Sequence, residues 1–139
     1  MNISTKGRYG LRAVLDLGIH YGEKPVSLAA IAARQHLSEG YLEQLMVPMK
    51  KAGIINSIRG AQGGYFLARP PQQIIVGEVF RALEGPLSVV ACVGEQNEEN
   101  CSKRDSCGSA FIWGEVQNAI TQVLDKYTIA DLVAKELQK

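Results

Sequence analysis

All three cysteines of this 139-residue chain fall in one stretch, CVGEQNEENCSKRDSC, with the spacing C-x8-C-x5-C. Cys92, Cys101 and Cys107 are one ligand short of a closed four-sulfur metal site and odd in number for disulfides. Clustered thiols of this kind suit a metal centre completed by a non-sulfur group, or a redox-sensing set. The N-terminus, MNISTKGRYG, is polar and basic and lacks the apolar segment of a secretory signal. No apolar run approaches the ~20 residues of a membrane span. A cytoplasmic protein without membrane contact is therefore expected. Thiols stay reduced there, which favours ligation or sensing over structural disulfides.

The rest of the chain must hold that loop and present something else. Apolar residues make up 46% of the chain, enough for a packed core. The net charge of +1 hides a split. Residues 1–70 carry nine Lys and Arg against four Asp and Glu, whereas residues 71–106 carry three against six. A basic first half points to a polyanionic partner. Catalysis finds no support: there is no Cys-x-x-Cys pair, no P-loop and no dinucleotide fingerprint, and neither histidine has an obvious nucleophile partner.

Periodicity predicts a largely buried helix over 8–21, with Tyr9, Leu11, Val14, Leu15 and Leu17 inward and Ser4 or Thr5 as its cap. GEKPVS is a turn. Ser27 precedes a short helix over 28–35, and Ser38 can cap a third helix, EGYLEQLMVPMKKAG, closed by Gly53. Leu42, Leu45, Met46 and Met49 form that helix's buried stripe, and Pro48 should kink or tighten its last turns. Two short helices joined by a tight turn read as a helix-turn-helix. IINSIRGAQGGYFLA then reads as a β-hairpin, with Arg59 at a slim, glycine-flanked tip that can enter a narrow minor groove. ARPPQQ is a turn, and IIVGEVFRALEG is an amphipathic helix with Ile75, Val79, Phe80 and Leu83 inward.

Beyond Cys107, Trp113, Val116, Ile120, Val123 and Tyr127 recur at intervals of 3 and 4 on a long helix, widened by Phe111, Ile112, Ala119 and Leu124. One small domain cannot cover so wide an apolar face, so a second copy of the chain is the expected cover. Thr128 can cap a final helix, IADLVAKEL.

Taken together, STKGRYGLRA, LSEGYLEQL, SIRGAQGGY, VGEV…LEGPLS and the cysteine loop resemble the bacterial winged-helix regulators of the IscR, NsrR and CymR types. The resemblance covers essentially the whole chain. It implies a mainly α fold with a small β-hairpin wing: a winged helix-turn-helix DNA-binding domain at 1–85, a cluster-binding loop at 86–108, and a dimerisation helix with a C-terminal helix at 109–139. It further implies a homodimer on a pseudo-palindromic double-stranded DNA operator. Ser38, Tyr41, Glu43 and Gln44 belong to the recognition helix on this reading, Arg59 to the wing, and Thr5, Lys6 and Tyr9 to phosphate contacts. The chemistry agrees, since Gln pairs bidentately with adenine and Glu accepts from cytosine N4.

The resemblance makes Cys92, Cys101 and Cys107 the ligands of an iron–sulfur cluster, 2Fe–2S by likeness to the IscR type, with 4Fe–4S or zinc as alternatives. CymR-type proteins lack the triad, which places this chain towards the IscR side. The alternatives are a CymR-like regulator of cysteine or sulfur metabolism acting with a partner enzyme of cysteine synthesis, and a zinc- or thiol-based redox sensor. The fourth ligand departs from the pattern. The IscR-type histidine position holds Ala110, and the region of the NsrR-type carboxylate offers Arg8. Glu95, Glu98, Glu99 and Asp105 in the loop, with His20 and His36, are other donors. Glu43 is the expected fourth ligand, because a ligand on the reading helix would couple cluster and operator directly.

Overall fold

A computed structural model describes residues 3–95 and 104–138. The chain runs α1 (Thr5–Ile19), α2 (Leu28–Gln35), α3 (Glu39–Lys51), β1 (Ile55–Ile58), β2 (Gly64–Leu67), a 3-10 turn (Pro71–Gln73), α4 (Val76–Glu84), a 3-10 turn (Arg104–Ser106), α5 (Gly108–Lys126) and α6 (Ile129–Leu137). Hydroxyl caps start four of these helices. Ser4, Ser27, Ser38 and Thr128 accept from the backbone N–H groups of Gly7, Ala30, Tyr41 and Asp131, each at 3.1 Å. A side-chain acceptor here satisfies a donor that the helix itself leaves unpaired. α1 starts earlier and stops earlier than its apolar period suggests, because Ser4 sets its start and the backbone leaves the helix at His20.

Helix α3 runs through Pro48 to Lys51 and ends on Gly53 at φ 77°. Leu42, Leu45, Met46 and Met49 are all within 2% of full burial. They join Val14, Leu17, Ile31, Ile54, Ile55 and Val79 in one core under α1, α2, α3, α4 and the hairpin.

β1 and β2 pair antiparallel with Ile55 opposite Leu67 and Ile58 opposite Gly64. Val26 adds a bridge to Tyr65, with N–H to carbonyl distances of 2.9 and 2.7 Å. The GEKPVS segment is thus a turn that returns to pin the hairpin's second strand. A side chain at Gly64 would strike the Val26 carbonyl, so this pairing requires glycine. The α5–α6 junction is tied back in the same manner: Val76 N–H donates to Tyr127 at 2.9 Å and Ile129 N–H to Ile74 at 2.8 Å. α6 consequently packs on α1, and Ile129 is fully buried.

Helix α1 is the hub, with α4 lying across its first half. Gly7 and Gly10 face α4 so closely that a Cβ at either would overlap the Phe80 ring or the Leu83 side chain. Gly7→Ala gains up to ~1 kcal/mol of helix propensity but forces an aromatic ring out of a filled core. A net loss of about 1–2 kcal/mol is expected, read as an unchanged slope and lowered midpoint in urea unfolding.

Candidate nucleic-acid interface and thiol loop

Burying Leu42, Leu45, Met46 and Met49 turns the opposite face of α3 outward. Ser38, Gly40, Glu43, Gln44 and Val47 are exposed there. Tyr41 is half-buried, and its ring meets that of Tyr9 edge-on, with centroids 6.1 Å apart at 90°. Tyr9 in turn lies under two guanidinium groups, Arg8 at 5.8 Å and Arg12 at 5.1 Å from its centroid. Thr5 and Lys6 are exposed on the first turn of α1. The structure therefore joins Tyr9 to Tyr41 and leaves Thr5, Lys6, Glu43 and Gln44 open to solvent. Arg8 and Arg12 belong to this basic rim and are absent from the DNA contacts expected from the sequence. Arg-Tyr-x-x-Arg, which stacks i and i+4 cations around an aromatic ring, was the available signal.

Arg59 is exposed at the hairpin tip. The hairpin's direction is coupled to α3, because Lys50 Nζ donates to Ser57 Oγ at 2.7 Å. A second unforeseen device sets the angle between α1 and α2. Asp16 is 4% exposed and accepts from Arg34 Nη2 at 2.7 Å, Arg34 Nε at 2.9 Å and Gln35 Nε2 at 3.1 Å. Arg12 closes the same seam by donating to the Gln35 side chain at 3.0 Å and to its carbonyl at 2.9 Å. Burial alone would raise the Asp16 pKa, but the hydrogen bonds from Arg34 and Gln35 outweigh it and hold the carboxyl below its ordinary range.

The thiol loop leaves α4 and is stapled in three places before the described residues pause at Glu95. The Ser88 hydroxyl bonds the carbonyls of Val90 and Val93, the latter at 2.6 Å. Gln117 of α5, 5% exposed, accepts from Val89 N–H at 2.8 Å and donates to the Leu87 carbonyl at 3.0 Å. Glu95 accepts from Leu87 N–H at 2.7 Å and from Arg81 Nε at 2.9 and 3.0 Å. Arg81 also grips Asp125 of α5 through both terminal nitrogens, at 2.7 and 2.8 Å. Its guanidinium holds the carboxyls of Glu95 and Asp125 below the usual carboxylate range. Glu95, one of the loop donors considered for a fourth ligand, is thus already committed to Arg81.

Cys92 is half-buried between the Ser88 and Glu95 staples. Cys107 is the N-cap of α5 and makes no side-chain cap bond. Both are free thiols. Cys101, Glu98 and Glu99 lie outside the described residues. Asp105 is exposed in the 3-10 turn before Cys107. His20 contacts the Asp16 carbonyl at 2.8 Å through Nδ1, and His36 closes α2 in a left-handed conformation, so each has a structural task. Among the described residues no three His, Cys, Asp or Glu side chains gather around one point, so Glu43 is not brought there to Cys92 and Cys107. Cys92 and Cys107 are free thiols, soft donors whose chemistry fits a sulfur-ligated centre, and Cys107 stands at the positive end of α5.

Comparison with known proteins bears on the whole chain. Residues 3–135 match the model of a family described as "Rrf2: Iron-dependent Transcriptional regulator". The HTH-type transcriptional regulator CymR of Bacillus subtilis is 44% identical over 134 residues, covering 96% of this chain and 91% of the relative. Its solved structure, that of the global cysteine regulator of B. subtilis, superposes with a TM-score of 0.79 at 43% identity, over 97% of this chain and 98% of that one. T. potens IscR superposes with a TM-score of 0.77 at 45% identity, over 98% and 88%. The mostly helical body with its antiparallel hairpin is therefore shared with winged-helix regulators.

Proposed function

We propose that this chain, which belongs to the Rrf2 family of transcriptional regulators and is not an enzyme, is a sequence-specific DNA-binding regulator that reports iron–sulfur status through Cys92, Cys101 and Cys107. The observation that carries this reading is the exposed, mostly polar face of α3, joined to the hairpin through Lys50 and Ser57, on a body whose α4 also fastens the Cys92 loop through Arg81 and Glu95.

The reading takes residues 1–85 as the DNA-binding domain, 86–108 as the sensing loop and 109–139 as the dimerisation and C-terminal helices. Two copies would pair through α5, where Phe111, Ile112, Trp113, Val123 and Tyr127 are 37–69% exposed. On an operator half-site, α3 enters the major groove with Glu43 and Gln44 towards base edges. Thr5, Lys6 and Tyr9 take phosphates, Ser38 and Tyr41 flank the reading face, and Arg59 reaches the minor groove. The three thiolates would hold a cluster, 2Fe–2S by likeness to IscR, or 4Fe–4S. When bound, it supplies a redox- and oxygen-sensitive centre whose loss releases the thiols. The chain's own residues do the rest: Arg81 and Gln117 fasten the loop to α4 and α5, and α4 rests on α1 at Gly7 and Gly10.

A second reading is favoured by the similarity to CymR over nearly its full length: a regulator of cysteine or sulfur metabolism that works with a partner enzyme of cysteine synthesis. Zinc or bare-thiol redox sensing is its metal-site counterpart.

Anaerobic purification with an absorption spectrum and assays of iron, sulfide and zinc tests the choice. Binding to duplexes selected from a random pool should be measured alongside, with and without the cluster. We expect coloured protein with iron and sulfide, lost with any of Cys92→Ser, Cys101→Ser or Cys107→Ser, and operator affinity that changes about 5–150-fold with the cluster. Glu43→Gln separates two proposed roles, because lost iron marks a ligand whereas changed base preference alone marks a reader. Colourless, metal-free protein that still binds its operator would favour the CymR-like reading.

A further inference from the structure

Val47 is 65% exposed, and every other exposed side chain of α3 is polar or absent: Glu39, Gly40, Glu43, Gln44, Lys50 and Lys51. The core does not need it, since Leu42, Leu45, Met46 and Met49 already fill the buried face. Its register matters more than its exposure. A helix seated in the major groove offers base edges the stripe i, i+3, i+4, i+7, the spacing by which a homeodomain's third helix reads DNA. On α3 that stripe is Gly40, Glu43, Gln44 and Val47. Gly40 permits close approach at the leading end, Glu43 and Gln44 offer hydrogen-bonding groups in the middle, and Val47 closes the trailing end with two methyl groups. Lys50, one turn beyond, is drawn away to Ser57.

We propose that Val47 is a specificity residue that recognises the C5-methyl group of a thymine in each operator half-site. Of the four bases, thymine alone presents an apolar group to the major groove, and apolar side chains recognise it by contact rather than by hydrogen bonding. Facing cytosine or a purine, the valine would instead cover a polar base edge and leave it unpaired. This rests on the DNA-binding reading above and adds one base to it.

The experiment uses full-length protein and duplexes it enriches from a random pool, with thymines replaced one at a time by deoxyuridine, which differs only by the missing methyl. The wild type should show a fixed thymine in each half-site and lose about fourfold in affinity on its replacement, the worth of one methyl group taken out of contact. Val47→Ala should bind the thymine and uracil duplexes equally, and pools selected with Val47→Ser should no longer fix that base. Val47 is 65% exposed and stands outside the core, so both variants should melt close to the wild type. Unchanged thymine–uracil discrimination in Val47→Ala, or no discrimination at any position by the wild type, overturns the assignment while leaving DNA binding intact. A wild type that enriches no sequence overturns the DNA-binding reading and this inference together.

Discussion

Arg34→Met should destabilise the protein more than Asp16→Asn, and with the opposite dependence on pH. Asp16 is almost wholly inside, whereas the Arg34 side chain is 43% exposed. Removing the Asp16 charge weakens three charge-assisted hydrogen bonds, two from Arg34 and one from Gln35, but leaves an arginine that solvent can reach, at a cost of about 1–2 kcal/mol. Removing Arg34 strands a carboxylate in the core with Gln35 as its remaining side-chain hydrogen-bond donor, at a cost of about 3 kcal/mol. In the wild type the folded pKa of Asp16 lies below its ordinary value of 3.8, so its stabilising contribution is complete above that pH and is lost as pH falls through the folded value. Without Arg34, desolvation dominates and the folded pKa rises above the unfolded one. The folded form then binds the extra proton, and stability falls as pH rises from about 4. Urea midpoints across pH 3–7 read both slopes. Asp16→Asn combined with Arg34→Met should recover much of the loss, because no buried charge is left unpaired. Variants that lose stability equally, with parallel pH profiles, would show that this ion pair does not carry the α1–α2 seam.

That seam shows where sequence reading stops. Periods of 3.6, hydroxyl caps and glycine turns fixed the helices, because each is local: Ser38 needs nothing but Tyr41 N–H, and Leu42, Leu45, Met46 and Met49 need nothing but one shared face. Nothing local marks Asp16, since its partners are 18 and 19 residues away on another helix. Gly7 and Gly10 have no local purpose in a helix, and only the approach of Phe80 and Leu83 gives them one.

The outward face of α3 was more legible than the thiol loop for a related reason. It is what is left outside once the helix has buried its stripe, so the exposure of Glu43 and Gln44 follows from α3's own pattern, and the hairpin tip follows from the glycines around Arg59. Ligand sets, by contrast, are assembled across the chain. Nothing in the local sequence marks Gln117 as the residue that bonds both Leu87 and Val89, or withdraws Glu95 from the candidate donors by tying it to Arg81.

Arg81→Met should uncouple the thiol loop from the body that holds α3. Arg81 lies on α4, which packs on α1 and α3, and it bonds the loop through Glu95 and α5 through Asp125. Its loss leaves two carboxylates, each about one-third exposed, without their cation. Partial solvation discounts the penalty from that of a buried pair to about 2 kcal/mol. Glu95→Gln and Asp125→Asn should each cost less, because the other carboxylate keeps its arginine. The signature is local rather than global. In a Cys101→Ser, Cys107→Ser background, thiol-specific labelling of Cys92 should quicken several-fold in Arg81→Met and not in Asp125→Asn, since only the first frees Glu95 and with it the Leu87 staple. On the proposed function, the ratio of operator affinities with and without the cluster should shrink towards one in the intact triad, because a loop that moves by itself would no longer bias α4. Equal labelling rates in all three proteins would mean that Gln117 and Ser88 hold the loop unaided.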